Sequence, residues 1–227
     1  MNILKGFSQK QDGNMKVYAS TSVGLSEKNR QAFLLRLGLN SDDLVLAGSV
    51  HGNKVAVVGA RNRGQIITGC DALVTTEVGV ILGITAADCL PIYFWDEGAG
   101  VIAMAHAGWR GVQSRIVSEV LRVMRDDGAS IQNIKVEIGP HIRECHFEVQ
   151  EDLVKEFADD ADSFKMVDRK HYLSLAKIVN KQLTQSGVLE QNIKQDGGCT
   201  FCENKYFSYR RDKPKEVEAQ LGYIVIK

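Results

Sequence analysis

The sequence predicts a mixed α/β fold on three observations. Six short apolar or β-branched runs lie between residues 43 and 105, separated by Gly, Asn and Asp; they have the length and punctuation of strands. Val112, Ile116, Val117, Val120, Leu121 and Met124 then recur at helical spacing. Neither a fixed repeat nor a low-complexity tract is present, which sets aside solenoids and scaffolding tails.

In chain order, residues 15–19 read as a strand, and Ser26 caps a helix whose Phe33, Leu34 and Leu37 share one face before Gly38 ends it. The six runs that follow are 43–50, 54–58, 72–75, 80–85, 90–95 and 101–105, which predicts one large sheet or a pair of packed sheets. The helix through Val112 and Met124 stops at Gly128. A strand at 134–138 leads into Gly139-Pro140-His141-Ile142-Arg143-Glu144-Cys145, a loop too polar and irregular for the core. Helices are expected near 151–158 and 173–185. A loop with Cys199 and Cys202, an aromatic segment 206–209 and a strand at 221–226 close the chain.

At 227 residues, with 44% hydrophobic and 25% charged side chains, the chain suits one globular domain, 1–227, with a sizeable core. Lys plus Arg balances Asp plus Glu at 28 each, so no global charge footprint for nucleic acid exists. The densest basic patch is Tyr209-Arg210-Arg211 with Lys213 and Lys215, readable as a solvated face or as an anion pocket for a small substrate. No stretch is apolar enough for a signal peptide or a membrane span, so a cytoplasmic protein without a membrane partner is expected. Five cysteines, an odd number, then read as thiols or ligands rather than disulfides.

Three metal-competent groups follow apolar strands: His51, Cys89 and His106. Strand ends are rigid, and two imidazoles with one thiolate suit zinc while leaving a fourth position open for water or substrate. Satisfied structural His and Cys residues are the plainer reading of the bare pattern. A third is a nucleophile and base pair, Cys89 and His106, as in cysteine hydrolases acting on an amide or a cell-wall precursor. Asp88 either orients a ligand histidine or caps a turn. After His106, Gly108 and Gly111 relieve crowding at a strand-to-helix corner, Trp109 stacks on a planar base or packs under the helix, and Arg110 offers phosphate a fork of donors near helix amides.

Cys199-Thr200-Phe201-Cys202 is one cysteine pair with no second pair to complete four ligands. Together with His146-Phe147-Glu148 it imitates the pattern of zinc base deaminases. Gly198 stands where that pattern has Pro, and the strand-helix unit linking its parts is missing.

Six blocks in order carry a resemblance: Val50-His51-Gly52, Asp71-Ala72-Leu73-Val74-Thr75, Thr85-Ala86-Ala87-Asp88-Cys89-Leu90-Pro91, His106-Ala107-Gly108-Trp109-Arg110-Gly111, Ile138-Gly139-Pro140 with Cys145-His146-Phe147-Glu148-Val149, and Phe207-Ser208-Tyr209-Arg210-Arg211-Asp212. Together they resemble the laccase-domain, or multicopper polyphenol oxidase-like, family. That resemblance implies a two-layer β core flanked by helices, αββα-like, and a purine nucleoside phosphorylase acting on adenosine, inosine, guanosine and methylthioadenosine, with adenosine deaminase activity. It implies His51, Cys89 and His106 as catalytic metal ligands, for zinc or alternatively copper, and Cys145 as a further residue at the substrate pocket. Purine nucleosides and phosphate are the implied partners of a monomer or small homo-oligomer, and a non-catalytic purine-binding module is the remaining alternative. The chain departs from the family pattern at Ser49, at 141–144 and at 213–220, positions that bear on substrate preference. Five histidines are too few for the several copper centres of a true laccase.

Overall fold

Strand parity decides which way the central side chains face. In the run Val101–Ala107, Val101, Ala103, Ala105 and Ala107 pack into one core while Ile102 and Met104 pack into another. A strand covered on both faces needs a continuous apolar run, and this segment has one. His106 has the parity of Ile102 and Met104, so the fold aims it between two sheets.

The computed structural model describes residues 2–17 and 23–227. Its elements in order are β1 (Ile3–Phe7), α1 (Val23–Arg36), β2 (Leu44–Gly48), β3 (Val55–Val57), β4 (Ile66–Thr68), β5 (Ala72–Thr75), β6 (Ile81–Ala86), β7 (Leu90–Asp96) and β8 (Val101–Ala107). There follow α2 (Trp109–Gln113), α3 (Ile116–Asp126), β9 (Lys135–Ile138), β10 (Glu148–Val149), α4 (Glu151–Glu156), β11 (Phe164–Val167) and β12 (Lys170–Leu173). The last are α5 (Leu175–Gln185), β13 (Ile193–Gln195), α6 (Tyr209–Asp212) and β14 (Gln220–Ile226). One sheet has the order β1-β14-β6-β2-β4, a second β13-β9-β7-β8-β5-β3, and a small third β10-β12-β11.

Three cores define the layers. Phe33 and Leu34 of α1 pack on Leu44, Leu46 and Ile81 of the first sheet. Val45, Leu82 and Ile84, on the opposite face of that sheet, meet Leu73, Tyr93 and Met104 of the second. The far face of the second sheet, through Val74, Ile92 and Phe94, is covered by α3 and α5, which contribute Val120, Leu121, Ile178 and Leu183. The order helix, sheet, sheet, helix is the expected two-layer β core flanked by helices. Among the described residues no helix is long and apolar enough to cross a membrane.

Several local expectations are corrected. Residues 15–17 form no strand; the Arg30 guanidinium donates to the Met15 carbonyl at 2.8 Å and to that of Lys16 at 3.0 Å, satisfying backbone that a strand partner would otherwise serve. Tyr18 and Ala19 lie outside the described residues. Ser26 sits inside α1, which starts at Val23. The helix expected through Val112 and Met124 is two helices, parted by Arg115 in the left-handed conformation at φ 57°. The loop after β9 is core after all from Gly139 to Ile142. Its polar backbone is tolerated there because Gly139 N donates to Pro91 O at 2.8 Å, Ile142 N to Asp88 O at 3.0 Å, and Thr200 N to His141 O at 3.1 Å.

Candidate metal centre and its cavity

Asp71 organises the site from just before β5. The antiparallel pairing of β5 with β8 sets Ala72 opposite Ala105, so Asp71 falls beside His106, whose backbone N donates to Asp71 O at 2.7 Å. The Asp71 carboxylate is fully buried and accepts four hydrogen bonds. Oδ1 takes His106 Nδ1 at 2.9 Å and His51 N at 2.9 Å; Oδ2 takes Val50 N at 3.1 Å and Gly52 N at 2.8 Å. Burial alone would push this carboxyl up, but the His106 imidazole and the amides hold it below its ordinary value.

The same bonds position His51 in the turn after β2, where its φ of 62° is held by the neighbouring amides on Asp71. Cys89 occupies the turn between β6 and β7. It follows Asp88, whose φ is 84°. The Asp88 carboxylate is bonded to neither His51 nor His106; its Oδ1 accepts from Thr200 Oγ1 at 2.6 Å and its Oδ2 from Arg210 N at 2.7 Å. The carboxylate that orients a histidine is therefore Asp71, and Asp88 ties the Cys89 turn to the carboxy-terminal loop. His106 lies within β8, whereas the sequence placed it just after the strand, and is only 4% exposed.

One ligand atom from each of His51, Cys89 and His106 lies within 4.8 Å of the others. The two imidazoles meet edge to face with centroids 4.9 Å apart. Burial would raise the Cys89 thiol, yet the adjoining His106 and His51 rings bring it down to about 6. Burial would likewise lower His106, but Cys89 and Asp71 raise it. Each group therefore favours the charged form of the other, the rings drawing Cys89 toward thiolate and the thiolate drawing His106 toward imidazolium. With Nδ1 committed to Asp71, His106 faces Cys89 with Nε2. A soft thiolate and two imidazoles converging at this spacing, one of them backed by a carboxylate, fit a zinc-type ion. Gly108 keeps the trio close: a Cβ there would lie 3.1 Å from both Cys89 Sγ and His51 Cδ2.

The trio opens onto a cavity of about 470 Å³, within the range of small-molecule sites. Trp109, Phe147 and Ile142 give it apolar walls, and Lys16 and Arg210 give it positive charge. Arg110 does not line it; its guanidinium lies over the Trp109 ring, 4.1 Å from the centroid. Cys145 does not line it either, and gathers instead with His146, Cys199 and Cys202. The sequence pointed to Arg110 for phosphate where the cavity presents Arg210, a residue that the sequence offers in its basic patch and in the last of the six blocks. The role of Asp71 was equally hidden, although it opens one of the six blocks.

The sequence model of a family described as multi-copper polyphenol oxidoreductase laccase matches residues 5–227. Adenosine deaminase RL5, from an unknown prokaryotic organism, is 34% identical over 196 residues, covering 80% of this chain and 75% of that one. A purine nucleoside phosphorylase of Clostridium acetobutylicum is 30% identical over 246 residues and is matched over 100% of both chains. The crystal structure of YlmD from Geobacillus stearothermophilus superposes with a TM-score of 0.92 at 27% identity, covering 99% of this chain and 92% of that one.

Proposed function

The chain belongs to the multi-copper polyphenol oxidoreductase laccase family, and from that membership together with the donor trio we propose a zinc-dependent purine nucleoside phosphorylase that also deaminates adenosine. Adenosine, inosine, guanosine and methylthioadenosine are its nucleoside substrates and phosphate its second substrate. The observation that carries the reading is the convergence of His51, Cys89 and His106 at a cavity that also presents Trp109, Phe147 and Arg210. Residues 1–227 act as one unit in this reading, supported by the pairing of β1 with β14 across the ends of the chain.

His51, Cys89 and His106 would hold zinc, with copper as the other candidate metal. The chemistry that zinc supplies when bound is a water whose pKa falls to about 7. Asp71 keeps the His106 proton on Nδ1, so that Nε2 stays available as a donor atom. Trp109 and Phe147 offer flat apolar surface to a purine. Arg210 lies 5.3 Å over the Phe147 ring and donates to Glu148 O at 2.8 Å, which fixes its guanidinium at the cavity wall. From there, with Lys16, it would neutralise phosphate attacking the ribose carbon as the glycosidic C–N bond breaks and the base departs. For deamination the same cavity would hold the purine with its amine-bearing carbon open to water, whose oxygen replaces the amine as the C–N bond breaks and ammonia leaves.

The test is incubation of zinc-loaded protein with adenosine and phosphate, resolving adenine, ribose 1-phosphate and inosine by chromatography. Absence of all three products overturns the proposal. The pull of the His106 and His51 rings on the Cys89 thiol, toward thiolate, favours one other enzyme class, a cysteine hydrolase. That enzyme would work without metal and die on alkylation even when zinc is bound. Ligand-induced stabilisation by nucleosides without any product would instead indicate a binding module.

A further inference from the structure

A second set of soft donors converges among residues that do not line the cavity. The Cys199-Thr200-Phe201-Cys202 loop has no partner pair nearby in sequence, but the fold brings one from 54 residues upstream. Cys145 Sγ lies 3.6 Å from Cys199 Sγ and 3.6 Å from Cys202 Sγ, and Cys202 Sγ lies 3.2 Å from His146 Nδ1. All four donor atoms are within 4.8 Å of one another. We propose that Cys145, His146, Cys199 and Cys202 bind one zinc ion tetrahedrally, as a structural staple separate from the cavity trio.

The geometry supports a metal rather than a disulfide. Zinc–sulfur bonds of about 2.3 Å and a zinc–nitrogen bond of about 2.0 Å at tetrahedral angles place sulfurs about 3.8 Å apart and sulfur from nitrogen about 3.5 Å apart. The two sulfur–sulfur separations of 3.6 Å and the sulfur–nitrogen separation of 3.2 Å are shorter by only a few tenths of an ångström, and all four donors lie within 4.8 Å of one another, so small side-chain rotations complete the cage. A disulfide joins two sulfurs at about 2.05 Å, which would leave the third thiol and the imidazole converging on nothing. Three thiolates and one imidazole select zinc by softness and tetrahedral geometry. Four protein ligands leave no open position, which makes the site structural rather than catalytic. The His146 ring is held for the task by stacking on Phe201, centroids 4.0 Å apart and planes 15° from parallel.

The staple would join the two loops that build one wall of the cavity. The upstream loop carries Ile142 and Phe147, the downstream loop leads to Tyr209 and Arg210, and all four line the cavity. Both loops also bind Asp88, through Ile142 N at 3.0 Å and Arg210 N at 2.7 Å. Arg211 closes the downstream loop on itself, donating to Thr200 O at 2.8 Å and to Tyr206 O at 2.6 Å. Zinc at the four-residue site therefore braces Phe147 and Arg210 without touching substrate.

The experiment is metal analysis of protein purified without chelator, in wild type and in Cys89→Ser, each with and without Cys202→Ser. Cys202→Ser is expected to remove about one zinc per chain from either background, whatever the cavity trio binds. Cobalt reconstitution of Cys89→Ser is expected to give a strong thiolate-to-cobalt charge-transfer band, and this readout stands even if Cys202→Ser does not fold. Unchanged zinc on losing Cys202, no charge-transfer band, copper in place of zinc, or a disulfide among the three cysteines in the non-reduced intact mass each overturns the proposal.

Discussion

Replacing Asp71 with Asn changes almost no volume but removes the logic of the site. The carboxylate accepts two hydrogen bonds on each oxygen, from His106 Nδ1 and His51 N on one and from Val50 N and Gly52 N on the other. An amide has only one oxygen, so either orientation turns an NH2 group toward two donors. Asp71 is fully buried, and water cannot compensate the loss. Hydrogen bonds to a charged acceptor contribute roughly 1.5–3 kcal/mol each, so losing two of them costs on the order of 3 kcal/mol or more. For a domain of this size that is a fall in Tm of about 6–12 °C. The turn of His51 and the ring of His106 loosen together, and zinc affinity should drop about 10–100-fold, the usual cost of losing a carboxylate behind a ligand histidine. Differential scanning fluorimetry of the metal-free protein and competition against a chromophoric chelator measure the two effects separately. An Asp71→Asn variant that melts within about 2 °C of wild type and binds zinc equally well would refute the reasoning.

Other outcomes follow from the same geometry. Gly108→Ala is allowed by its φ of −78°, but the new Cβ crowds Cys89 Sγ and His51 Cδ2 at 3.1 Å; ligand shifts of about 0.4 Å exceed the ~0.2 Å that a zinc site tolerates, so chelator competition should show weakened zinc with Tm of the metal-free protein little changed. Arg210→Met should raise the phosphate KM of phosphorolysis about 10-fold or more, the loss of one charge-assisted contact, and alter adenosine deamination far less; Arg110→Ala, outside the cavity, is the matched control, and equal effects of the two substitutions would remove Arg210 from the anion site. Asp212 is held below its ordinary value first by its hydrogen bond from Arg211. A depressed carboxyl stabilises the fold above its unfolded pKa of about 3.9 and ceases to do so as pH falls through the folded value. Urea unfolding should thus place Asp212→Asn below wild type by up to ~1 kcal/mol at pH 7, the modest size set by its partial exposure, with the gap closing in acid.

The legible part of the fold was its buried strands. The run 72–75 is β5 without adjustment, and 90–95 and 101–105 fall inside β7 and β8, because strands covered on both faces must be apolar throughout. Strands β1, β4 and β10 to β13 went unread. They are short, half-exposed or at sheet edges, such as Phe164-Lys165-Met166-Val167, so their pairing and not their composition makes them strands. The buried turn at 139–142 was misjudged for the converse reason: its polarity is answered by Pro91, Asp88 and Thr200, all distant in sequence.

His51, Cys89 and His106 were nameable from the sequence because donor type and the ends of apolar runs are local properties. Their convergence was not, since it depends on strand register and on which face of each sheet turns inward. Parity points His106 into the space between the sheets, and the pairing of β5 with β8 sets Asp71 beside it. The loop from β9 and the loop before α6 must likewise dock on Asp88 before Arg210, rather than Arg110, reaches the cavity. The amino-acid sequence thus determined the buried strands and the donor types, through burial and side-chain chemistry. Tertiary structure alone decided which groups meet, because hydrogen bonds and metal sites act over a few ångströms whatever the separation along the chain.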